Sequence, residues 1–79
     1  MNQKPLDLKR FIEIIGDQAG LNPHAITEKA HLADELGIDS IAMLKIIRAV
    51  ETEIGREFED LDFDEVVTVG DAFQAIGGL

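Results

Sequence analysis

The 79-residue chain has no cysteine, no tryptophan and no tyrosine, and it holds only four phenylalanines and two prolines. Without cysteine there is no disulfide, no thiolate metal site and no thiol nucleophile. With so few aromatics it has no stacking platform for single-stranded nucleic acid. Positive charge is scarce as well. Seven Lys and Arg against sixteen Asp and Glu leave a net charge of −9 at pH 7. That balance argues against binding nucleic acid or anionic membrane through a bulk basic surface. It favours basic protein partners, or solubility alone. No apolar run approaches the length of a membrane span. The stretch Met1-Asn2-Gln3-Lys4-Pro5 has no apolar segment of the kind a signal peptide needs. A soluble, cytoplasmic, monomeric protein is the expectation. The length allows one domain, residues 1–79, too small to enclose a deep, water-excluding active site.

What is present is aliphatic and helically spaced. Leu8, Phe11, Ile12, Ile15 and Ala19 recur at i, i+3, i+4 and i+7, with Ile14 beside them. They predict a first helix starting near Pro5, with Asp7 in its first turn, and ending at Gly20. From Leu21 to Asp39 there is no clean period. Asn22-Pro23 reads as a turn, and Ile26, Leu32, Ala33 and Leu36 read as loop residues folding back onto the core, with room for one short helical turn. A connection this long in a small domain is more often functional than not.

A second helix is predicted from Ser40 to about Ile54, with Asp39 as N-cap and Gly55 as its stop. Met43, Ile46, Ile47, Val50 and Ile54 fall within about a hundred degrees of arc and mark its core face. Ile41, Lys45, Arg48 and Thr52 lie opposite, flanked by Leu44 and Glu51. Ile41 and Leu44 therefore form an outward-facing apolar pair beside two basic residues, a candidate docking patch. Further on, Asp62 and Glu65 have capping-box spacing and predict a short helix over Asp64 to Val67. Thr68 and Asp71 repeat the device before Val69, Ala72, Phe73 and Ile76, a last helical stripe ended by Gly77 and Gly78. The expected fold is all-α: a small bundle of three main helices plus one short one, with a long loop between the first two.

The chemistry-bearing residues are few. Asp39 caps the second helix, so Ser40 takes its first position. There its hydroxyl is on the surface, near the positive end of the helix dipole, where an attached phosphate is favoured. Such a serine can be modified by another protein; equally, Asp and Ser at a helix start are common caps with no further role. As a nucleophile it lacks a hydrolase elbow, since no strand precedes it. His24 and His31, with no third spaced ligand, read as loop histidines rather than a metal site. From Glu51 to Glu65 there are eight acidic residues and one basic one, Arg56. Within that run, Asp60-x-Asp62-x-Asp64 opens like a calcium loop, but Glu65 replaces the glycine and Asp71 the final glutamate that such loops need. A non-catalytic protein- or calcium-binding helical module is the rival reading from these residues, and a solvated, helix-capping acidic face is the plainer account. No enzyme and no metal site are expected.

Leu36-Gly37-Ile38-Asp39-Ser40-Ile41, followed at a fixed distance by Thr68-Val69-Gly70-Asp71, resembles the acyl carrier protein family over nearly the whole chain. The resemblance implies a 4′-phosphopantetheine arm, taken from coenzyme A by a phosphopantetheinyl transferase and joined to Ser40 as a phosphodiester. The arm's thiol would carry acyl groups as thioesters and present them to acyl-loading and acyl-processing enzymes. It further implies that Asp39 supports the modification and that Ile41 touches partners. Met43, Ile47, Val50 and Phe73 would shelter the acyl chain. Many members, those of fatty acid biosynthesis above all, carry acidic residues along the exposed face of the second helix, where basic partner patches dock. Here that face has Ala42, Lys45 and Arg48, and like charges disfavour such docking. The resemblance thus points to a carrier in a specialised acyl or polyketide-like pathway rather than housekeeping lipid metabolism. Peptidyl carriers usually show Gly-Gly-His/Asp-Ser; Gly37-Ile38-Asp39-Ser40 looks like the acyl type, with an aminoacyl or peptidyl carrier as the alternative.

Overall fold

The computed structural model describes residues 6–58 and 66–76. Among them are three α-helices, α1 (Leu8–Ala19), α2 (Ser40–Ile54) and α3 (Val69–Ala75), and a single 3₁₀ turn at Pro23–Ala25. α1 is the central element, packing against α2, α3 and the 3₁₀ turn. Its start lies later than the sequence suggested. Asp7 is the N-cap rather than a first-turn residue, because its carboxylate accepts the Arg10 N–H at 2.8 Å. Pro5 lies outside the described residues.

Phe11, Ile14, Ile15 and Gly16 form the buried face of α1, so Ile14 lies at its heart while Ile12 and Ala19 are half-buried at its edges. Gly16 is needed there. A Cβ at that position would sit 2.7 Å from the Leu21 carbonyl oxygen and 2.9 Å from Pro23 Cγ. The bare backbone lets the chain turn back tightly against α1.

α2 follows its expected bounds, and its buried residues are Met43, Ile46, Ile47, Val50 and Ile54, with Gly55 as C-cap. Phe11, Ile15, Ile46, Val50 and Val69 are the largest side chains fully removed from water, each contributing about 1.5–3 kcal/mol. The Phe11 ring meets that of Phe73 on α3 at a centroid distance of 5.8 Å. Outside this contact zone Arg10 clamps α1 to α2. Its Nε and Nη2 donate to the two Glu53 carboxylate oxygens at 2.9 and 3.1 Å, and Nη1 meets Glu13 at 3.2 Å. Hydrogen bonding to Glu53, and then to Glu13, raises the pKa of the guanidinium further.

The long connection is more ordered than its lack of period suggested. Ile26, Ala30, Leu32 and Ile38 are buried in it, Leu36 is half-buried, and Ala33, which was expected to fold back, is exposed. Its backbone pairs with the segment entering α3. Leu32 N–H donates to Val67 O at 2.9 Å, Val69 N–H to Ala30 O at 3.0 Å and Gly70 N–H to Glu28 O at 2.9 Å, around an antiparallel bridge between His31 and Thr68. This pairing corrects the short helix expected over Asp64 to Val67: Val66 and Val67 are not helical, and the Val67 carbonyl serves the loop instead. Asp62, Asp64 and Glu65 lie outside the described residues, as do Asp60, Gly77 and Gly78.

α3 starts as expected. The Thr68 hydroxyl accepts the Asp71 N–H and the Asp71 carboxylate accepts the Thr68 N–H, both at 3.1 Å.

Candidate functional site

The chain reaches Ser40 through a tight reversal. Glu35 and Leu36 N–H both donate to His31 O, Gly37 N–H donates to Ala33 O at 3.2 Å, and Ile38 N–H donates to Leu32 O at 2.8 Å. Gly37 adopts φ +67°, a left-handed conformation that side chains disfavour. The turn drives Ile38 into the core and leaves Asp39 at the surface as the α2 cap. The Asp39 carboxylate accepts the Ala42 N–H at 2.8 Å, and its carbonyl accepts the Met43 N–H at 2.9 Å.

Ser40 is thus the first residue of α2. It is exposed, and none of the described residues hydrogen-bonds its hydroxyl. It is also the only serine in the chain. The helix dipole and the free first amides of α2 favour negative charge at this place.

A pocket of about 510 Å³ opens beside Ser40. α2 contributes Ser40, Met43 and Leu44, and the reversal contributes Leu32, Ala33, Ile38 and Asp39. Val66 and Val67 complete the apolar wall, and His31 and Asp34 give it a polar edge. Met43 alone of the four residues expected to shelter an acyl chain stands on this wall. Ile47, Val50 and Phe73 lie in the closed core.

Leu32 is buried, as expected of a loop residue folding back onto the core, but helical periodicity gave no sign of Ile38, Val66 and Val67, because loop and bridge residues follow no helical repeat. The usable signal was the Thr68–Asp71 capping box, since that box also positions the wall. Asp71 Oδ2 accepts both the Thr68 and the Val67 N–H at 3.1 Å. These backbone donors, Thr68 first and then Val67, hold the Asp71 carboxyl below its usual pKa.

The outer face of α2 presents a continuous stripe. Ile41, Leu44, Lys45, Arg48 and Thr52 are all exposed and span about a hundred degrees of arc at roughly 3.6 residues per turn. Ile41 keeps 68 % of its surface in water and Leu44 53 %, and Val67, across the pocket mouth, keeps 49 %. The sequence reading did not single out Val67.

His24 and His31 are exposed loop residues. The backbone N–H of His24 is held by Asn22 and that of His31 by Glu35, and His31 Nδ1 lies 3.8 Å from Asp34. Among the described residues no group of three His, Asp or Glu could hold a metal ion. Nor is any helix among them long and apolar enough to cross a membrane.

Residues 9–76 match the family model of the phosphopantetheine attachment site.

Proposed function

The chain belongs to the phosphopantetheine attachment-site family, and from that premise we propose that Ser40 bears the arm of a carrier for acyl groups in a specialised acyl or polyketide-like pathway. Domains of this family are carrier modules that hold 4′-phosphopantetheine covalently on a serine, and they meet a phosphopantetheinyl transferase and acyl-processing enzymes. The observation that carries the assignment is that Ser40 is the sole serine in the chain and stands exposed at the head of α2.

The surroundings fit the group. The Ser40 hydroxyl is open to a transferase, and the α2 N-terminus favours the negative charge of a phosphodiester at Oγ. Asp39 spends its carboxylate on the Ala42 N–H, which keeps the first turn formed and Ser40 at its fixed place. When bound, the group supplies a thiol that holds cargo as a thioester.

The apolar pocket wall of Leu32, Ile38, Met43, Leu44, Val66 and Val67 supports an acyl cargo, since these side chains gain by covering hydrocarbon. Ile41, Leu44, Lys45 and Arg48 would meet the partner enzymes.

Intact mass after incubation with coenzyme A and a broad-specificity transferase tests the proposal, with Ser40→Ala as control. One adduct in the native chain and none in the control is the expected result. Because the chain has no cysteine, a thiol titration should rise from none to one alongside it. A folded native chain that gains neither mass nor thiol, with a transferase active on another carrier, refutes the assignment.

A further inference from the structure

We infer that the enzyme docking on the outer face of α2 presents carboxylates around an apolar socket, so this carrier selects acidic rather than basic partner surfaces. The inference rests on the carrier reading above and adds the chemistry of the partner.

In a chain of net charge −9, the stripe of Ile41, Leu44, Lys45, Arg48 and Thr52 carries two positive charges and no negative one. Among the described residues no carboxylate pairs with Lys45 or Arg48. The acidic residues of α2 are engaged elsewhere. The Glu51 carboxylate accepts the Phe58 N–H at 2.9 Å, and the Glu53 carboxylate is held by Arg10. Both are half-buried rather than displayed.

An incoming surface therefore meets two exposed aliphatic side chains flanked by two exposed cations that no described carboxylate pairs. Leu44 belongs to the stripe and to the pocket wall alike, so the surface runs without a break to the mouth beside Ser40. Carboxylates on the partner would pair with Lys45 and Arg48. Lysines or arginines there would face like charge, which raises the cost of a wrong partner more than it changes the apolar contact.

The test uses the full chain, ¹⁵N-labelled, and two synthetic helical peptides with the same apolar face. One peptide is flanked by glutamates and the other by lysines. The Glu-flanked peptide should shift the amides between Ser40 and Arg48, and its affinity should fall as salt rises. Lys45→Glu with Arg48→Glu should weaken it about fivefold or more. The salt dependence of the native chain reports the same sign without any variant.

Tighter binding of the Lys-flanked peptide to α2 would overturn the inference, as would indifference of the Glu-flanked peptide to salt and charge reversal. A concentration-dependent dimer that the double variant abolishes would assign the stripe to a second copy of this chain, and would overturn it too. Ser40→Ala should keep the peptide response while losing the adduct. An absent adduct in the native chain with the Glu preference intact therefore sinks the carrier reading alone. A normal adduct with no Glu preference sinks this inference alone.

Discussion

Gly37→Ala probes how the reversal places Ser40. Gly37 has φ +67°, and a Cβ built there meets nothing within 4 Å. The substitution thus adds no clash, and its cost is backbone strain alone. A left-handed conformation costs a residue with a side chain about 1–2 kcal/mol. The methyl group also restricts the unfolded chain, which returns about 0.4–1 kcal/mol. The net loss is about 1 kcal/mol, or roughly 4–8 °C in Tm for a domain of this size. Asn tolerates this region better than Ala, so Gly37→Asn should lose less. With no tryptophan or tyrosine to report, urea unfolding is followed by far-ultraviolet circular dichroism. If the turn relaxed by pulling Asp39 off its cap, the Ala42 N–H would lose its acceptor, and the loss would grow by about 1 kcal/mol. An unchanged midpoint for Gly37→Ala would refute the reasoning, as would Gly37→Asn proving the worse of the two.

Gly16→Ala should be destabilising by about 1–3 kcal/mol in the same unfolding assay, although alanine is the better helix former. The added methyl meets a backbone oxygen at 2.7 Å and a proline ring atom at 2.9 Å, and neither can swing aside. The depressed pKa of Asp71 gives stability that is full above its ordinary carboxyl range, near 3.8, and is lost as pH falls below that range. Unfolding midpoints between neutral and strongly acidic pH should therefore fall less steeply in Asp71→Asn than in the native chain; parallel curves would remove Asp71 from the account. Salt or magnesium should raise the Tm by relieving the repulsion that a net charge of −9 creates, checked by thermal melts across ionic strength, where a flat response counts against it.

The legible part of this chain lay in short-range chemistry. A cap is a relation between residues about three apart, so Asp39 before Ser40 and Thr68 before Asp71 could be read directly, and the structure shows both with their hydrogen bonds. The α2 core face, Met43 to Ile54, followed from the helical repeat for the same reason. The start of α1 was misplaced because Pro5 and Asp7 are both good early-helix residues, and the choice depends on whether the Asp7 carboxylate caps the Arg10 amide, as it does. The helix expected over Asp64 to Val67 failed at Val66 and Val67 because loop residues from another part of the chain claimed the Val67 carbonyl.

By itself, the sequence determined the three main helices, the exposed serine at the head of the second one and the basic turn of its outer face, since each depends on neighbours within one or two turns. Only the tertiary structure decided what stands around that serine. The pocket wall joins Ile38 to Leu32 and Leu32 to Val67 through backbone hydrogen bonds, which leave no side-chain pattern to read. The same packing occupied Glu51 and Glu53 with Phe58 and Arg10, leaving Lys45 and Arg48 as the charges of the surface. Which charges a helix displays depends on the partners its other residues find across the fold, and no local pattern carries that.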